Sequence, residues 1–583
     1  MNELLPNLTL VEDPVASLRT VPEVLAARAE WHPDRVAFTP LLRGEAPGEP
    51  VTYGALYRRA RRVAADLQAR VAPGTPVVLV FPNTPDFLDV FLGTILAGLV
   101  AVPLAVPRNG RGMERLLSLA GTARAPLAIA SPSMRLRLDR MLGDAEGGHG
   151  LDWVYADELG QTDATAFREP SLGGEAVAVL QFTSGSTGTP KGVMVRHANI
   201  LHNCLLLQEA CGSGVDMRMV SWLPFFHDWG LFGCLLFPIY TGGSSHFLDP
   251  ADFLRRPMRW IEAIARTEAT VSCSPNFGYE LCAAAVEDEG LPQLDLHAWS
   301  MAMMGAEPVR PQTMERFARA FAPAGFSAEA LYPSYGLAES TLIVTGGGRH
   351  AAPVSLSVDR AALERGQVIA SETGSKRTLI GAGPALLDQR VAIVGPETGL
   401  ALPDNQVGEV WVAGPSVALG YLDRPEETAE VFAAKLPGDP TPWLRTGDLG
   451  FLRDGELFVC GRLKDVIIKA GANYFAEDIE VSAEAAHPGL RPGCGAAFGV
   501  EVDGTERLVI VHEVNYGPKP DLDAVVGALQ RAVKIDHDVF ADAVIVVQAG
   551  TLEKTSSGKI RRRHTKAQFA DGALDPLHAW KSW

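Results

Sequence analysis

The chain has 583 residues, of which 52 are Lys or Arg and 69 are Asp or Glu, so its formal charge is −17. A chain of this length can form several domains, and an apolar share of 47% excludes a disordered or fibrous protein. The acidic balance argues against nucleic acid as the main partner, because a phosphate backbone needs a basic surface. The seven cysteines include no CxxC pair, which is typical of a reduced chain without structural zinc or disulfides.

The sequence predicts neither a secretory signal nor a membrane span. The N-terminus, MNELLPNLTL, has no basic region followed by an apolar core, so we expect a cytoplasmic protein. Residues 90–106 carry no charge, but this stretch is short for a span and Pro103 interrupts it. A buried helix that leads into a buried strand is the better interpretation.

Short apolar strands alternate with amphipathic helices over most of the chain. The pattern predicts, in chain order, helices over 21–33 and 52–71, strands over 76–81 and 176–182, a helix over 195–210, a strand over 219–224, a helix over 309–321 and a strand over 390–395. Such alternation indicates an α/β fold with mostly parallel sheets.

The predicted secondary structure changes after about residue 380, where strands are shorter and turns are more frequent. Residues 408–422 and 455–471 indicate a small β-rich subdomain. The last segment combines predicted helices over 476–486 and 522–533 with strands over 507–514 and 543–549, which suffices for an α+β domain. We therefore predict an N-terminal domain over 1–463 and a C-terminal domain over 464–583.

The strongest local signal is QFTSGSTGTPKGVMV at 181–195, between a predicted strand and a predicted helix. Glycines allow close approach of the backbone to a ligand, and amides and hydroxyls can then bind phosphate oxygens. The segment is not a Walker A loop, because Lys191 is followed by Gly192. A flexible polar loop is the alternative interpretation.

Four further segments follow in order: YGLAES (335–340), RTGDLGF (445–451), GRLKDVIIKAGANYFAEDIE (461–480) and KTSSGKIRR (554–562). With them, residues 20–565 resemble the adenylate-forming superfamily of acyl-CoA synthetases, fatty acyl-AMP ligases, peptide-synthetase adenylation domains and luciferases. The resemblance implies a large N-terminal domain of two α/β sheets plus a small β-barrel. It also implies a small, mobile α+β C-terminal domain that rotates about a hinge at Lys464.

The resemblance implies a role for each motif residue in binding ATP and Mg²⁺. Tyr335, next to Gly336, would stack on adenine, Asp448 would accept hydrogen bonds from the ribose hydroxyls, and Arg462 would donate to ribose or phosphate. Glu339 and Thr187 would bind Mg²⁺. Lys559 would reach the α-phosphate and the acyl carboxylate, with Lys554 as the competing candidate. The residues implied to hold the β- and γ-phosphates are Thr183, Ser184, Gly185, Ser186, Thr187, Gly188 and Lys191.

Several features resemble the fatty acyl-AMP ligases in particular. The first is SWLPFFHDWGLFG (221–233), in which His227 would lie near the reacting carboxylate and Trp222 would contact the substrate. Two more are SPNFGYELC (274–282) and MGAEPVR (304–310). They would place Asn276 and Phe277 at the acyl entrance and Gly305, Ala306 and Glu307 beside adenine.

A further resemblance is to the insertion that marks acyl-AMP ligases and is thought to hinder the use of coenzyme A. It lies at about 357–383, where a family-neutral surface loop is the alternative. Asn473 stands where many CoA-using relatives carry arginine, which favours a ligase and removes one possible phosphate contact.

The function implied is ATP-dependent activation of a fatty acid to acyl-AMP with release of pyrophosphate. Transfer to the phosphopantetheine thiol of an acyl carrier protein, supplied in trans, would follow. An acyl-CoA synthetase and a catalytically inactive nucleotide-binding regulator are alternatives. A peptide-synthetase adenylation domain is another, in which Asp228 would bind the substrate amine.

Overall fold

The computed structural model of the chain describes residues 14–143, 150–183, 190–469, 472–502, 505–517, 520–554 and 560–583. The α-helices in these ranges are α1 (Val21–Trp31), α2 (Tyr53–Arg70), α3 (Pro85–Leu96), α4 (Gly110–Thr122), α5 (Arg135–Gly143), α6 (His197–Cys211), α7 (Phe237–Thr241), α8 (Pro250–Arg255), α9 (Met258–Thr267), α10 (Asn276–Glu289), α11 (Pro311–Phe321), α12 (Arg360–Glu364), α13 (Pro425–Phe432), α14 (Ala476–Ala485), α15 (Leu522–His537) and α16 (Arg562–Ala570). A π-helix, Trp229–Leu236, runs directly into α7.

The N-terminal part of the chain builds two large sheets. Its strands are β1 (Val36–Leu42), β2 (Ala46–Pro47), β3 (Val51–Thr52), β4 (Pro76–Val80), β5 (Val100–Leu104), β6 (Leu127–Ala130), β7 (Asp152–Tyr155), β8 (Val177–Thr183), β9 (Lys191–Arg196), β10 (Arg218–Ser221), β11 (Ser244–Phe247), β12 (Val271–Ser274), β13 (Met301–Met304), β14 (Leu331–Gly336) and β15 (Ile343–Gly346). The nine-stranded sheet has the order β15-β14-β13-β12-β10-β11-β1-β2, with β3 paired to β1. The six-stranded sheet has the order β7-β6-β4-β5-β8-β9.

Both large sheets are mainly parallel, as the alternation of strands and helices predicts. In the nine-stranded sheet, neighbouring strands are parallel along the order β1-β11-β10-β12-β13-β14. In the six-stranded sheet, β4 is parallel to β5 and β6, β5 is parallel to β8, and β6 is parallel to β7. One apolar cluster joins the two sheets, including Phe87 on α3 and Phe247 on β11. The two sheets therefore share a core.

The middle of the chain forms smaller antiparallel sheets. Its strands are β16 (Ser355–Asp359), β17 (Lys376–Ile380), β18 (Arg390–Val394), β19 (Gly408–Ala413), β20 (Ala434–Leu436), β21 (Asp439–Arg453) and β22 (Glu456–Arg462). The five strands β18 to β22 form one sheet, in the β-rich region that the sequence predicts. Strands β16 and β17 pair with each other, and α12 lies between them in the chain.

The C-terminal part folds around its own apolar clusters. Its strands are β23 (Val466–Lys469), β24 (Ala472–Phe475), β25 (Leu490–Val502), β26 (Thr505–Val514), β27 (Ala543–Val547) and β28 (Pro576–Lys581). Strands β25 to β28 form a four-stranded sheet, whereas β23 and β24 pair separately. Lys464, the predicted hinge, lies in a 3-10 turn, Leu463–Asp465, between β22 and β23.

The structure also corrects two boundaries. The predicted strand over 219–224 ends at Ser221, so the residues after it are free to form a loop. The last part of the glycine-rich segment belongs to strand β9, Lys191–Arg196, where the sequence predicts a loop that leads directly into a helix. The apolar stretch at 90–106 is part of α3 and β5, and within the described ranges no helix has the length and apolar character to cross a membrane.

Candidate active site

The two ends of the glycine-rich segment belong to an antiparallel strand pair. Strands β8 and β9 pair so that Thr183 stands opposite Lys191. The Lys191 ammonium is 3.2 Å from the Glu427 carboxylate and 4.7 Å from the ring centre of Tyr421, and its side chain is 8% exposed. Thr183 Oγ1 is buried without a hydrogen-bond partner among the described residues. The remaining predicted phosphate ligands, Ser184, Gly185, Ser186, Thr187 and Gly188, lie outside the described residues.

Glu339 lies in a buried 3-10 turn directly after β14. The hydroxyl of Tyr421 donates a hydrogen bond of 2.9 Å to Glu339 Oε1. Burial raises the pKa of Glu339 above its ordinary value, and the hydrogen bond from Tyr421 partly counters that effect. Among the described residues no Lys, Arg or His forms an ion pair with this carboxylate, which suits a ligand for a hard divalent cation such as Mg²⁺.

The turn that carries Glu339 is strained. Thr341 has φ +66° and ψ −64°, a conformation that a β-branched residue rarely adopts. The Thr341 hydroxyl donates to the carbonyl of Ser416 at 2.7 Å, and the Asn203 amide bonds both backbone groups of Ile343. Gly336 is required nearby, because a Cβ there would lie 1.8 Å from the Leu342 carbonyl oxygen. These contacts hold the strained turn in place.

Tyr335, Asp448 and Arg462 form one hydrogen-bonded set. The Tyr335 hydroxyl donates to Asp448 Oδ2 at 2.8 Å, and Arg462 Nε donates to Asp448 Oδ1 at 3.1 Å. Asp448 and Arg462 are paired residues on β21 and β22. Burial, together with the Asp448 carboxylate, raises the pKa of Tyr335, so its phenol stays protonated and remains a donor.

The turn that carries Asp448 is built by Glu409, a buried residue of β19 that the sequence motifs do not reveal. Its carboxylate accepts hydrogen bonds from Arg445 Nε at 3.1 Å and from the Gly447 amide at 3.2 Å. Glu409 therefore organises the RTGD turn from a strand opposite it.

His227 lies in the loop between β10 and the π-helix. Its Nδ1 is 2.5 Å from the Asp228 carboxylate, and its side chain is 26% exposed. Trp229, two residues after His227, packs near β14, because a Cβ at Gly305 would lie 2.9 Å from the Ser334 carbonyl oxygen and 3.6 Å from the Trp229 ring. The His227 loop, the Glu339 turn and the Asp448 set therefore converge on one region of the large domain.

The predicted adenine and acyl residues have defined partners. Gly305 allows close packing, because a Cβ there would lie 2.9 Å from the Ser334 carbonyl oxygen, and Ala306 has φ +61°. Glu307 Oε1 accepts a hydrogen bond from the backbone amide of Phe277 at 2.7 Å, at the start of α10. This bond gives Glu307 a helix-capping role, and its predicted contact with adenine stays a prediction.

Asn276 and Trp222 are both buried. The Asn276 amide donates to Thr313 Oγ1 at 3.2 Å and accepts from the Arg310 backbone at 3.0 Å. The Trp222 ring stacks on Phe253 at 3.9 Å and meets the Phe277 ring edge-on at 5.7 Å. Asn276 therefore connects α10 to the start of α11. Trp222 and Phe277 belong to an aromatic cluster. The substrate contacts of all three residues stay predictions.

Lys559 lies outside the described residues, but the ends of its segment are defined. Lys554 and Ile560 form an antiparallel bridge, and the Arg561 amide donates to the Glu553 carbonyl at 2.9 Å. The buried Glu513 carboxylate accepts a hydrogen bond from the Leu552 amide at 2.7 Å. The C-terminal sheet thus anchors the base of this segment.

Comparisons with known proteins identify the family of the chain. Residues 25–422 match the family model described as AMP-binding enzyme, and residues 464–579 match the model described as Disco-interacting protein 2-like, AMP domain. The chain belongs to the AMP-binding enzyme family. The AMP-binding enzyme is 38% identical to a medium-chain fatty acid–[acyl-carrier-protein] ligase of Moorena producens, over 96% of both chains. It is 34% identical to a long-chain fatty acid–AMP ligase of Mycolicibacterium smegmatis, over 90% of this chain and 89% of that one.

A solved structure gives the same result for the fold. A fatty acyl-adenylate ligase from Legionella pneumophila, in complex with acyl adenylate and pyrophosphate, matches with a TM-score of 0.76 and 33% identity. The match covers 98% of this AMP-binding enzyme and 99% of that chain. The large N-terminal domain and smaller C-terminal domain of the adenylate-forming enzymes are therefore the fold of this chain, as the sequence resemblance implies.

Proposed function

We propose that this AMP-binding enzyme activates a fatty acid with ATP to acyl-AMP, and then passes the acyl group to the phosphopantetheine thiol of an acyl carrier protein. The names of its relatives support both steps, since they include a fatty acid–[acyl-carrier-protein] ligase and a fatty acid–AMP ligase. The observation that carries the proposal is the convergence of three groups in the large domain: Glu339 with Tyr421, the Asp448 set, and His227 with Asp228.

Each group suits one part of ATP. Thr183 and Lys191 would bind the β- and γ-phosphates, and Lys191 would then exchange its contact with Glu427 for phosphate oxygens. Asp448 is an acceptor for the ribose hydroxyls, and the Tyr335 ring offers a flat surface to adenine. Glu339, a half-buried carboxylate, would hold Mg²⁺, which when bound neutralises phosphate charge.

The first half-reaction needs no strong base. Carboxyl groups titrate near pH 4 to 5, so the fatty acid is ionised at neutral pH. One carboxylate oxygen forms a bond to the α-phosphorus, the bond from that phosphorus to the bridging oxygen breaks, and pyrophosphate leaves with the electron pair. The main tasks of the enzyme are to position two anions and to stabilise their charge. His227 and Lys559 would contribute there as hydrogen-bond donors.

The second half-reaction would use a different pose of the C-terminal domain. Lys464, in the turn between β22 and β23, is the proposed hinge, with residues 1–463 on one side and 464–583 on the other. Rotation about this turn would withdraw Lys559 and admit the carrier thiol. The thiol then attacks the acyl carbonyl and AMP leaves. We place this chemistry in the cytoplasm.

The test follows products rather than binding. Purified enzyme with ATP, Mg²⁺ and fatty acids of graded length is expected to release pyrophosphate and form acyl-AMP, and Lys559→Ala is expected to lose this activity. Adding a holo carrier protein should give the acylated carrier, whereas the apo carrier without its thiol should stay unmodified. Acyl-CoA formation as rapid as carrier loading would instead establish an acyl-CoA synthetase. Absence of pyrophosphate release with every acid would refute the proposal.

A further inference from the structure

The loop that carries His227 is held by a side-chain amide from the other large sheet. Gln181, on β8, donates from Nε2 to the carbonyl oxygen of Phe226 at 2.9 Å. Phe226 directly precedes His227, so this carbonyl belongs to the peptide plane that ends at the His227 nitrogen. Because a peptide unit is planar, fixing its oxygen fixes the direction from which the backbone enters His227.

Gln181 also belongs to the strand that leads into the glycine-rich segment. It lies two residues before Thr183, so both side chains lie on the same face of β8. Gln181 is 5% exposed. One buried residue therefore links the strand of the phosphate-binding segment to the His227 peptide, although 45 residues separate Gln181 from Phe226.

The rest of the loop is fixed independently of Gln181. The Asn83 amide donates to the Leu223 carbonyl at 2.8 Å and accepts from the Phe225 amide at 3.0 Å. The Phe225 ring stacks on Phe87 at 5.3 Å and meets Phe247 at 5.1 Å. These contacts anchor the loop as far as Phe225. The next peptide is bonded on both sides: its N–H, from His227, donates to the Pro224 carbonyl at 3.1 Å within the loop, and its carbonyl accepts from Gln181 on the other large sheet.

The second polar atom of the Gln181 amide also lies inside the protein. Its Oε1 is buried and has no hydrogen-bond partner among the described residues, and the same is true of Thr183 Oγ1. A buried acceptor without a partner costs about 1–3 kcal/mol, whereas Leu or Met would fill a similar volume without that cost. Both unpaired oxygen atoms belong to side chains on the same face of β8.

We propose that Gln181 is a positioning residue of the adenylation half-reaction, which acts through His227 by fixing the Phe226–His227 peptide against β8. The inference rests on the proposed function, because His227 is placed at the reacting carboxylate and α-phosphate by that function. Gln181 itself need not touch the substrate. Its effect is on the orientation of the imidazole once ATP occupies the glycine-rich segment.

The experiment compares Gln181→Leu with a matched control. Gln530, in α15, has the same bonding pattern: its Nε2 donates to the Ala541 carbonyl at 2.9 Å and its Oε1 is buried without a partner among the described residues. Gln181→Leu is expected to lower kcat for fatty acid-dependent pyrophosphate release by roughly ten- to a hundred-fold, with KM for ATP and acid within about three-fold. Gln530→Leu is expected to leave kcat within about two-fold, since it removes an equivalent bond far from the site.

A double-mutant cycle shows whether Gln181 acts through His227. In a His227→Asn background, measured by single-turnover acyl-AMP formation, Gln181→Leu is expected to cost less than about two-fold. A full additional loss in that background, or an unchanged kcat in the single variant, overturns the inference. Gln181→Met gives the same comparison should the Leu variant fail to fold. A wild-type enzyme without fatty acid-dependent pyrophosphate release overturns the proposed function and this inference together, whereas the other outcomes concern Gln181 alone.

Discussion

Tyr421 is the hydrogen-bond donor to the Glu339 carboxylate and influences its protonation. Burial alone would favour the protonated form of Glu339, which binds a cation poorly. The Tyr421 hydroxyl donates to Glu339 while the Tyr421 ring lies under the Lys191 ammonium. One aromatic side chain thus connects the carboxylate implied to bind Mg²⁺ with the lysine implied to bind phosphate.

Tyr421→Phe separates these two contributions, because phenylalanine keeps the ring under Lys191 and removes only the hydroxyl. Loss of the hydrogen bond is expected to raise the pKa of Glu339 further. The acid limb of the activity profile should therefore move to higher pH, and activity at neutral pH should fall about ten-fold. Pyrophosphate release between pH 5.5 and 8.5, at several Mg²⁺ concentrations, measures both effects.

Tyr332→Phe is the matched control for this prediction. The Tyr332 hydroxyl is also buried, but it has no hydrogen-bond partner among the described residues, so its removal should leave the profile unchanged. An acid limb at the wild-type position in Tyr421→Phe would contradict the role given to the hydroxyl.

Among the elements, α6 gives a prediction about stability and pH. Its first residue, His197, is buried, and its Nδ1 accepts a hydrogen bond from the Val21 amide at the start of α1. Burial lowers the pKa of His197 to about 4. The unfolded chain therefore binds a proton, between pH 6.5 and about 4, that the folded chain does not, and stability falls as the pH falls through this window.

His197→Asn keeps an acceptor for the Val21 amide but cannot titrate. Its melting temperature is expected to lie at or below that of the wild type at pH 7.5, because the smaller side chain leaves space. At pH 5 the wild type should lose about 2 kcal/mol to the protonation of His197 in the unfolded state, so the difference should close or reverse. Thermal melts at both pH values test this, with His297→Asn at an exposed position as control. If the melting temperature of His197→Asn falls further below that of the wild type at acid pH, the predicted effect of His197 on stability is wrong.

The sequence predicts elements well where periodicity is clear. Strand β4 and helices α2 and α14 lie within about two residues of their predicted bounds, because a short continuous apolar run and a helical apolar period are distinct patterns. The π-helix has the sequence WGLFGCLL, which is apolar on every face and carries no such period. The strand β9 is missed because it is defined by its pairing with β8 rather than by its own pattern.

The same limit applies to the candidate site. Motif residues such as Lys191, Glu339 and Asp448 can be selected from local segments by resemblance. Their supporting partners cannot, since Tyr421 is 82 residues from Glu339 in the chain. A local sequence motif cannot reveal a contact between residues so far apart in the chain. Tyr421, Glu409 and Gln181 are therefore recognised only in the folded structure, where the strands lie together.

At the scale of the whole molecule, the segment that resembles the ligase insertion contacts the C-terminal domain. Arg377, on β17, lies 3.0 Å from the Asp478 carboxylate on α14, and Arg360, on α12, lies 3.7 Å from it. Arg360 is also 3.1 Å from His537 Nδ1, at the end of α15. These contacts connect residues 355–380 to two helices that follow Lys464, so they would oppose the proposed rotation of the C-terminal domain.

Asp478→Asn tests this connection, because it keeps the size of the side chain and removes the charge shared by both arginines. Burial raises the pKa of Asp478, and Arg377 and Arg360 lower it. The negative charge of Asp478 and the positive charges of the arginines therefore offset each other's cost of burial. Breaking this ion pair should destabilise the contact between residues 355–380 and the C-terminal domain by about 3 kcal/mol, and the C-terminal domain should then rotate more easily. We expect acyl-AMP formation within about two-fold of wild type and a several-fold rise in transfer to coenzyme A. The comparison is Asp538→Asn, which removes the exposed pair with Lys534 in the same domain and should change neither rate. If transfer to coenzyme A stays at the wild-type rate while the contact is demonstrably broken, the segment at 355–380 does not restrain the domain.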